Sequence, residues 1–81
     1  MTRLPRDIRG DELAKALERL GYVLSRQRGS HLRLAHPGPP EAHVTIPAHR
    51  PIKIGTLNHI LEDVASHLHI TRHELLARLF G

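Results

Sequence analysis

Leu57, Ile60, Leu61, Val64, Ala65 and Leu68 recur at the i, i+3, i+4, i+7, i+8, i+11 spacing of a single broad helix face. A face that wide has to be covered, and in a chain of 81 residues the cover must come from one modest domain. The segments ahead of it switch period. Tyr22–Gln27, His31–Ala35 and His43–Pro47 alternate apolar with polar residues, the pattern of half-buried strands. Tyr22 and Leu24, Leu32 and Leu34, and Val44 and Ile46 are the inward-facing sets. Arg28-Gly29-Ser30 turns the first strand into the second, and the breaker-rich run from His36 to Ala42 loops to the third. The expected sheet is a three-stranded antiparallel meander.

Two further helices complete the chain. Gly10-Asp11 opens the first, with Asp11 as N-cap and Glu12 in the first turn. Leu13, Ala16, Leu17 and Leu20 form its stripe, and Gly21 occupies the position of a C-cap glycine. Near the end, Thr71-Arg72-His73-Glu74 reads as a capping box, with Ile70 and Leu75 as a hydrophobic staple and Leu75, Leu76, Leu79 and Phe80 as the apolar face. The reading is an α+β single domain, 1–81, in the order α-β-β-β-α plus a short C-terminal helix. Residues 1–9 form a flexible arm and 69–81 a helical extension.

Twelve Lys and Arg against eight Asp and Glu leave a net charge of +4, which favours a polyanionic partner such as nucleic acid. One Tyr, one Phe and no Trp argue against stacking platforms for single strands. The absence of cysteine removes disulfide frameworks and thiolate zinc sites. No apolar run approaches a membrane span, so a soluble, cytoplasmic protein is expected.

Arg26-Gln27-Arg28-Gly29-Ser30-His31-Leu32-Arg33 holds the residues best suited to chemistry. His31 and Arg33, two apart on a strand, share a face away from Leu32 and Leu34. A titratable imidazole beside several cations suits a phosphodiester: the cations hold it, and the imidazole moves a proton near neutral pH. Read from these residues alone, the favoured reading is the plainer one, a basic hairpin with a surface histidine.

Tyr22-Val23, Arg26-Gln27-x-Gly29-Ser30-His31, His36-Pro37, Val44-Thr45-Ile46-Pro47-x-His49 and Ile54-Gly55-Thr56-Leu57-x-x-Ile60-Leu61, in that order, resemble the HicA toxins over roughly residues 10 to 68. The resemblance implies an mRNA interferase of a type II toxin–antitoxin module, a fold like the double-stranded-RNA-binding domain with its helices on one face of the sheet, and an antitoxin partner of the HicB type. It assigns the catalytic role to His31. The chain departs from the family where Leu32 replaces a second histidine, where Gly38-Pro39-Pro40-Glu41 replaces a tighter hairpin, and where it continues from His67 to Gly81.

On that reading the RNA's own 2′-hydroxyl attacks the adjacent phosphorus while His31 transfers a proton. RNA contacts fall to Arg26, Gln27, Arg28, Ser30, Arg33 and Lys53, with no metal or other cofactor expected. Arg50 and Lys53 lie at the start of the long helix, where a phosphate is favoured. His36 and His49 either contact RNA or brace their loops. His43, on the face of His31, is a second proton carrier or a bystander, and His59 faces solvent. His67-x-His69-x-x-x-His73 reads as surface histidines across a helix break. A non-catalytic RNA-binding module is the alternative.

Overall fold

The computed structural model describes residues 4–81, in the order α1 (Gly10–Glu18), β1 (Val23–Arg28), β2 (His31–His36), β3 (Ala42–Pro47), α2 (Ile54–Leu68) and α3 (Arg72–Phe80). The three strands form one antiparallel sheet in the order β1-β2-β3. This is the expected α+β architecture. Leu32, Leu34, Val44 and Ile46 project to one side of the sheet and are buried against Leu13 and Leu17 of α1, Leu57, Leu61 and Val64 of α2, and Leu75 and Leu79 of α3. The other side carries no helix.

The helix ends follow local chemistry. The N-cap of α1 is Arg9, two residues before the expected Asp11. Asp11 is drawn inside because its N–H donates to the Ala48 carbonyl at 3.2 Å, while Glu12 closes the turn by accepting from the Arg9 N–H at 2.9 Å. At the far end the Tyr22 N–H reaches the Leu17 carbonyl and the Gly21 N–H the Glu18 carbonyl. That paired closure needs a left-handed residue, which Gly21 supplies at φ 96°. The same closure ends α2, where His69 takes the left-handed position at φ 57°. Thr71 caps α3 as the sequence specifies, its Oγ1 accepting from the Glu74 N–H at 3.0 Å. The helix beyond residue 68 seals the end of the core, with Leu75 and Leu79 buried and Ile70 and Phe80 packed at its margin.

Two expectations are corrected. The arm over 1–9 is docked in much of its described part: Ile8 is buried, its carbonyl accepts from the Ile52 N–H at 2.8 Å, and Arg9 bridges Pro51. Residues 1–3 of that arm lie outside the described residues. A lone isoleucine among arginines and a proline carries no periodicity, yet it fills the gap beside Ile52. Leu24, expected inward, stays 47% exposed. It lies opposite the buried Leu34, on the helix side of the sheet, but β1 is an edge strand whose residues are all exposed.

Candidate active site

The face left open by the helices is built from cross-strand pairs. Arg26 stands opposite Arg33, Arg28 opposite His31, and Arg33 in turn opposite Thr45. Directly opposed residues of antiparallel strands share a face, so β1, β2 and β3 each deliver polar groups to one surface. Arg26, Arg28, His31, Arg33 and Thr45 line a shallow concavity of about 180 Å³.

Strict alternation along β1 does not produce this arrangement. Val23 pairs with Ala35 and Leu24 with Leu34, and on that phase Arg26 and Arg28 would face the helices. A bulge between Leu24 and Arg26 inserts Ser25 without a partner of its own, and the strand resumes with Arg26 opposite Arg33. One extra residue reverses every side chain that follows. Ser25 is fixed there by donating its hydroxyl to the Arg33 carbonyl at 3.0 Å. The bulge therefore brings Arg26 and Arg28 onto the face of His31, and it sends Gln27, opposite Leu32, to the other side.

The electrostatics are one-signed. None of the residues lining the concavity is acidic, and among the described residues no ion pair engages Arg26, Arg28 or Arg33. Neighbouring guanidinium groups repel, at a cost kept small by solvent. A bound anion converts that repulsion into binding, and planar guanidinium groups match phosphate oxygens pairwise. His31 is exposed at the head of β2, and among the described residues its side chain makes no hydrogen bond or ion pair.

A second hollow adjoins the first at His31. It is lined by Ser30, His31, Pro47, Ala48, His49 and Arg50. Pro47 lies opposite His31 across the β2–β3 ladder, and the Ala48 N–H donates to the Ser30 carbonyl at 2.6 Å, which returns His49 toward the hairpin turn. His49 and Arg50 were legible here only through the register of β3. Once Pro47 is placed opposite His31, a residue two further on lies beside the turn. Lys53 is not gathered in. It caps α2 and lines a different groove with Pro5, Arg6, Asp7 and Ile54. Gly55 has open space where its Cβ would be.

The remaining histidines have partners of their own. His36 braces its loop, with Nε2 against the Leu20 carbonyl at 3.2 Å and Nδ1 accepting from the Gly38 N–H at 3.0 Å. His67, expected at the surface, is half-buried: Nε2 meets the Pro40 carbonyl at 2.6 Å, and Nδ1 lies 3.0 Å from the Tyr22 hydroxyl. The Pro40 carbonyl can only accept, so Nε2 carries the proton in the neutral ring and Tyr22 donates to Nδ1. Burial and the nearby Asp63 charge both hold the Tyr22 phenol above its usual value. His43 faces the side of His31 but pairs with Glu41 at 2.7 Å, and His59 lies 3.6 Å from Asp63. Among the described residues no three His, Asp or Glu gather as a metal site, His67, His69 and His73 included. No helix among them is long and apolar enough to cross a membrane.

No curated protein and no solved structure matches the chain. A family description does match: the HicA toxin of bacterial toxin–antitoxin systems, over residues 10–65, from the head of α1 to the last turns of α2. That span covers most of the chain, including all three strands and both hollows around His31, and the chain therefore belongs to the HicA toxin family.

Proposed function

We propose that this toxin is an endoribonuclease that cuts mRNA, arrests translation and growth, and is neutralised by a HicB-type antitoxin. The observation that carries the reading is the open concavity in which Arg26, Arg28 and Arg33 surround an unpartnered His31 with no carboxylate among them. The arginines hold the phosphodiester and stabilise the charge that builds on phosphorus as the 2′-oxygen attacks. His31 transfers a proton to or from the reacting oxygens, a contribution of about 10²–10⁴-fold in rate. The chemistry runs through the substrate's own 2′-hydroxyl, so DNA is not cut. An antitoxin presenting acidic groups to the same face neutralises the cations and covers His31.

Purified protein incubated with RNA, beside His31→Ala, tests this. Cleavage by the wild type and its loss in a folded His31→Ala variant that still binds RNA is the expected result. Binding of RNA by both proteins without cleavage by either would make the chain an RNA-binding module instead.

A further inference from the structure

Cutting RNA by attack of its own 2′-hydroxyl moves two protons. One leaves the attacking 2′-oxygen, and one arrives on the departing 5′-oxygen. A single imidazole placed for one of them leaves the other to water. Six of the seven remaining histidines are spoken for or remote. His36 and His67 are bound into the Tyr22 cluster, His43 holds Glu41, His59 faces Asp63 on α2, and His69 and His73 stand at the α2–α3 junction. His49 alone shares a hollow with His31.

We propose that His49 is the second proton carrier of this site, working in opposite phase to His31 on the same phosphodiester. The inference rests on the ribonuclease reading above. Three features support it. The hollow lined by His49 and the arginine-lined concavity share His31 as a wall, so a strand whose phosphate sits among Arg26, Arg28 and Arg33 and that runs on past His31 comes beside His49. The Ala48 N–H bond to the Ser30 carbonyl pins the segment carrying His49 to the hairpin turn carrying His31. His49 is exposed and, among the described residues, takes part in no hydrogen bond or ion pair, so its ring is free to exchange protons. In the reaction a bond forms between the 2′-oxygen and phosphorus while the bond from phosphorus to the 5′-oxygen breaks. One imidazole takes the 2′ proton, and the other, entering protonated, gives its proton to the 5′-oxygen. The products are a 2′,3′-cyclic phosphate and a free 5′-hydroxyl, and the two rings recover their starting states by exchange with water.

The experiment compares wild type, His31→Ala, His49→Ala and His49→Gln on two RNAs of one sequence, cut at a bond the wild type cleaves. One is all-oxygen; the other carries sulfur in place of the bridging 5′-oxygen at that bond. A thiolate leaves without being protonated, so the sulfur substrate dispenses with the acid and still needs the base. On the all-oxygen RNA both His49 variants are expected to fall at least 10²-fold and to lose one limb of the wild-type pH–rate bell. On the sulfur RNA one of His31→Ala and His49→Ala recovers and the other does not, which also tells acid from base. Wild-type rates and an unchanged bell in folded His49→Ala overturn the inference and leave the ribonuclease reading standing. So does recovery of both variants, or of neither. A wild type that cuts neither RNA overturns the parent reading instead.

Discussion

Gly10 and Gly55 make the same substitution a test of two opposite signs. Both are helical glycines near an N-terminus, so helix propensity alone says that alanine stabilises either by up to about 1 kcal/mol. Their surroundings differ completely. A Cβ at Gly10 would sit 1.7 Å from the Pro47 carbonyl oxygen and 2.9 Å from the Ala48 Cα, both backbone atoms that cannot rotate aside. A Cβ at Gly55 would meet nothing within 4 Å. Gly10→Ala forces α1 away from the end of β3, an overpacking cost of about 1–3 kcal/mol. It also stretches the bond from the Asp11 N–H to the Ala48 carbonyl, worth about 1 kcal/mol. Set against the propensity gain, the net loss is about 1–3 kcal/mol, a large share of the roughly 4–12 kcal/mol expected for a domain this size. With a urea slope of about 1 kcal/mol per M, the Gly10→Ala midpoint falls by about 1–3 M, while that of Gly55→Ala rises by up to about 1 M. Urea unfolding followed by circular dichroism reads both. A Gly10→Ala midpoint at or above wild type would refute the claim that helix and strand end touch there.

Three further outcomes follow from particular contacts. Thr71→Ala removes the cap of α3 and should cost about 1 kcal/mol, lowering the thermal midpoint by about 4–8 °C, with Thr71→Ser close to wild type. The Tyr22 phenol is held above its ordinary 10.0 in the fold, so between the unfolded and folded values the native state keeps a proton that the unfolded chain has lost. The stability this confers is whole below pH 10 and drains as pH rises through that window; Tyr22→Phe should flatten this alkaline loss in urea titrations. Replacing Arg26, Arg28 or Arg33 singly by Ala should reduce the slope of log affinity for single-stranded RNA against log salt by about 0.7 each. Gln27→Ala, on the other face, should leave both affinity and slope unchanged.

Where chemistry is local, the sequence was enough. The Thr71 cap on the Glu74 N–H, the stripe of α2, the glycine closing α1 and the shared face of His31 and Arg33 each depend on residues a few positions apart, and each is found as read. The misreadings are all non-local. Ile8 is buried because Ile52, far along the chain, lies beside it. His67 is held by a loop carbonyl 27 residues away. Leu24 has the right phase for the core but belongs to an edge strand that stays exposed along its length. Lys53 follows Arg50 closely in sequence yet lines another groove, because the chain between them turns to dock on the arm. Placing Arg26 and Arg28 correctly required knowing that Ser25 has no partner, which only the ladder with β2 reveals.

That unpartnered serine sets where β1 is measured from. Everything after Ser25 is indexed from the Gly29-Ser30 turn, and everything before it from the end of α1. The two halves of the strand are thus in separate frames, joined at a slip point. The hairpin tip with Arg26, Arg28 and His31 therefore keeps the register set by its own turn. Deleting Ser25 costs no charge and no apolar contact of the core, and it fuses the two frames into one regular ladder, Leu24 opposite Leu34 followed directly by Arg26 opposite Arg33, with the arginines still on the open side of the sheet.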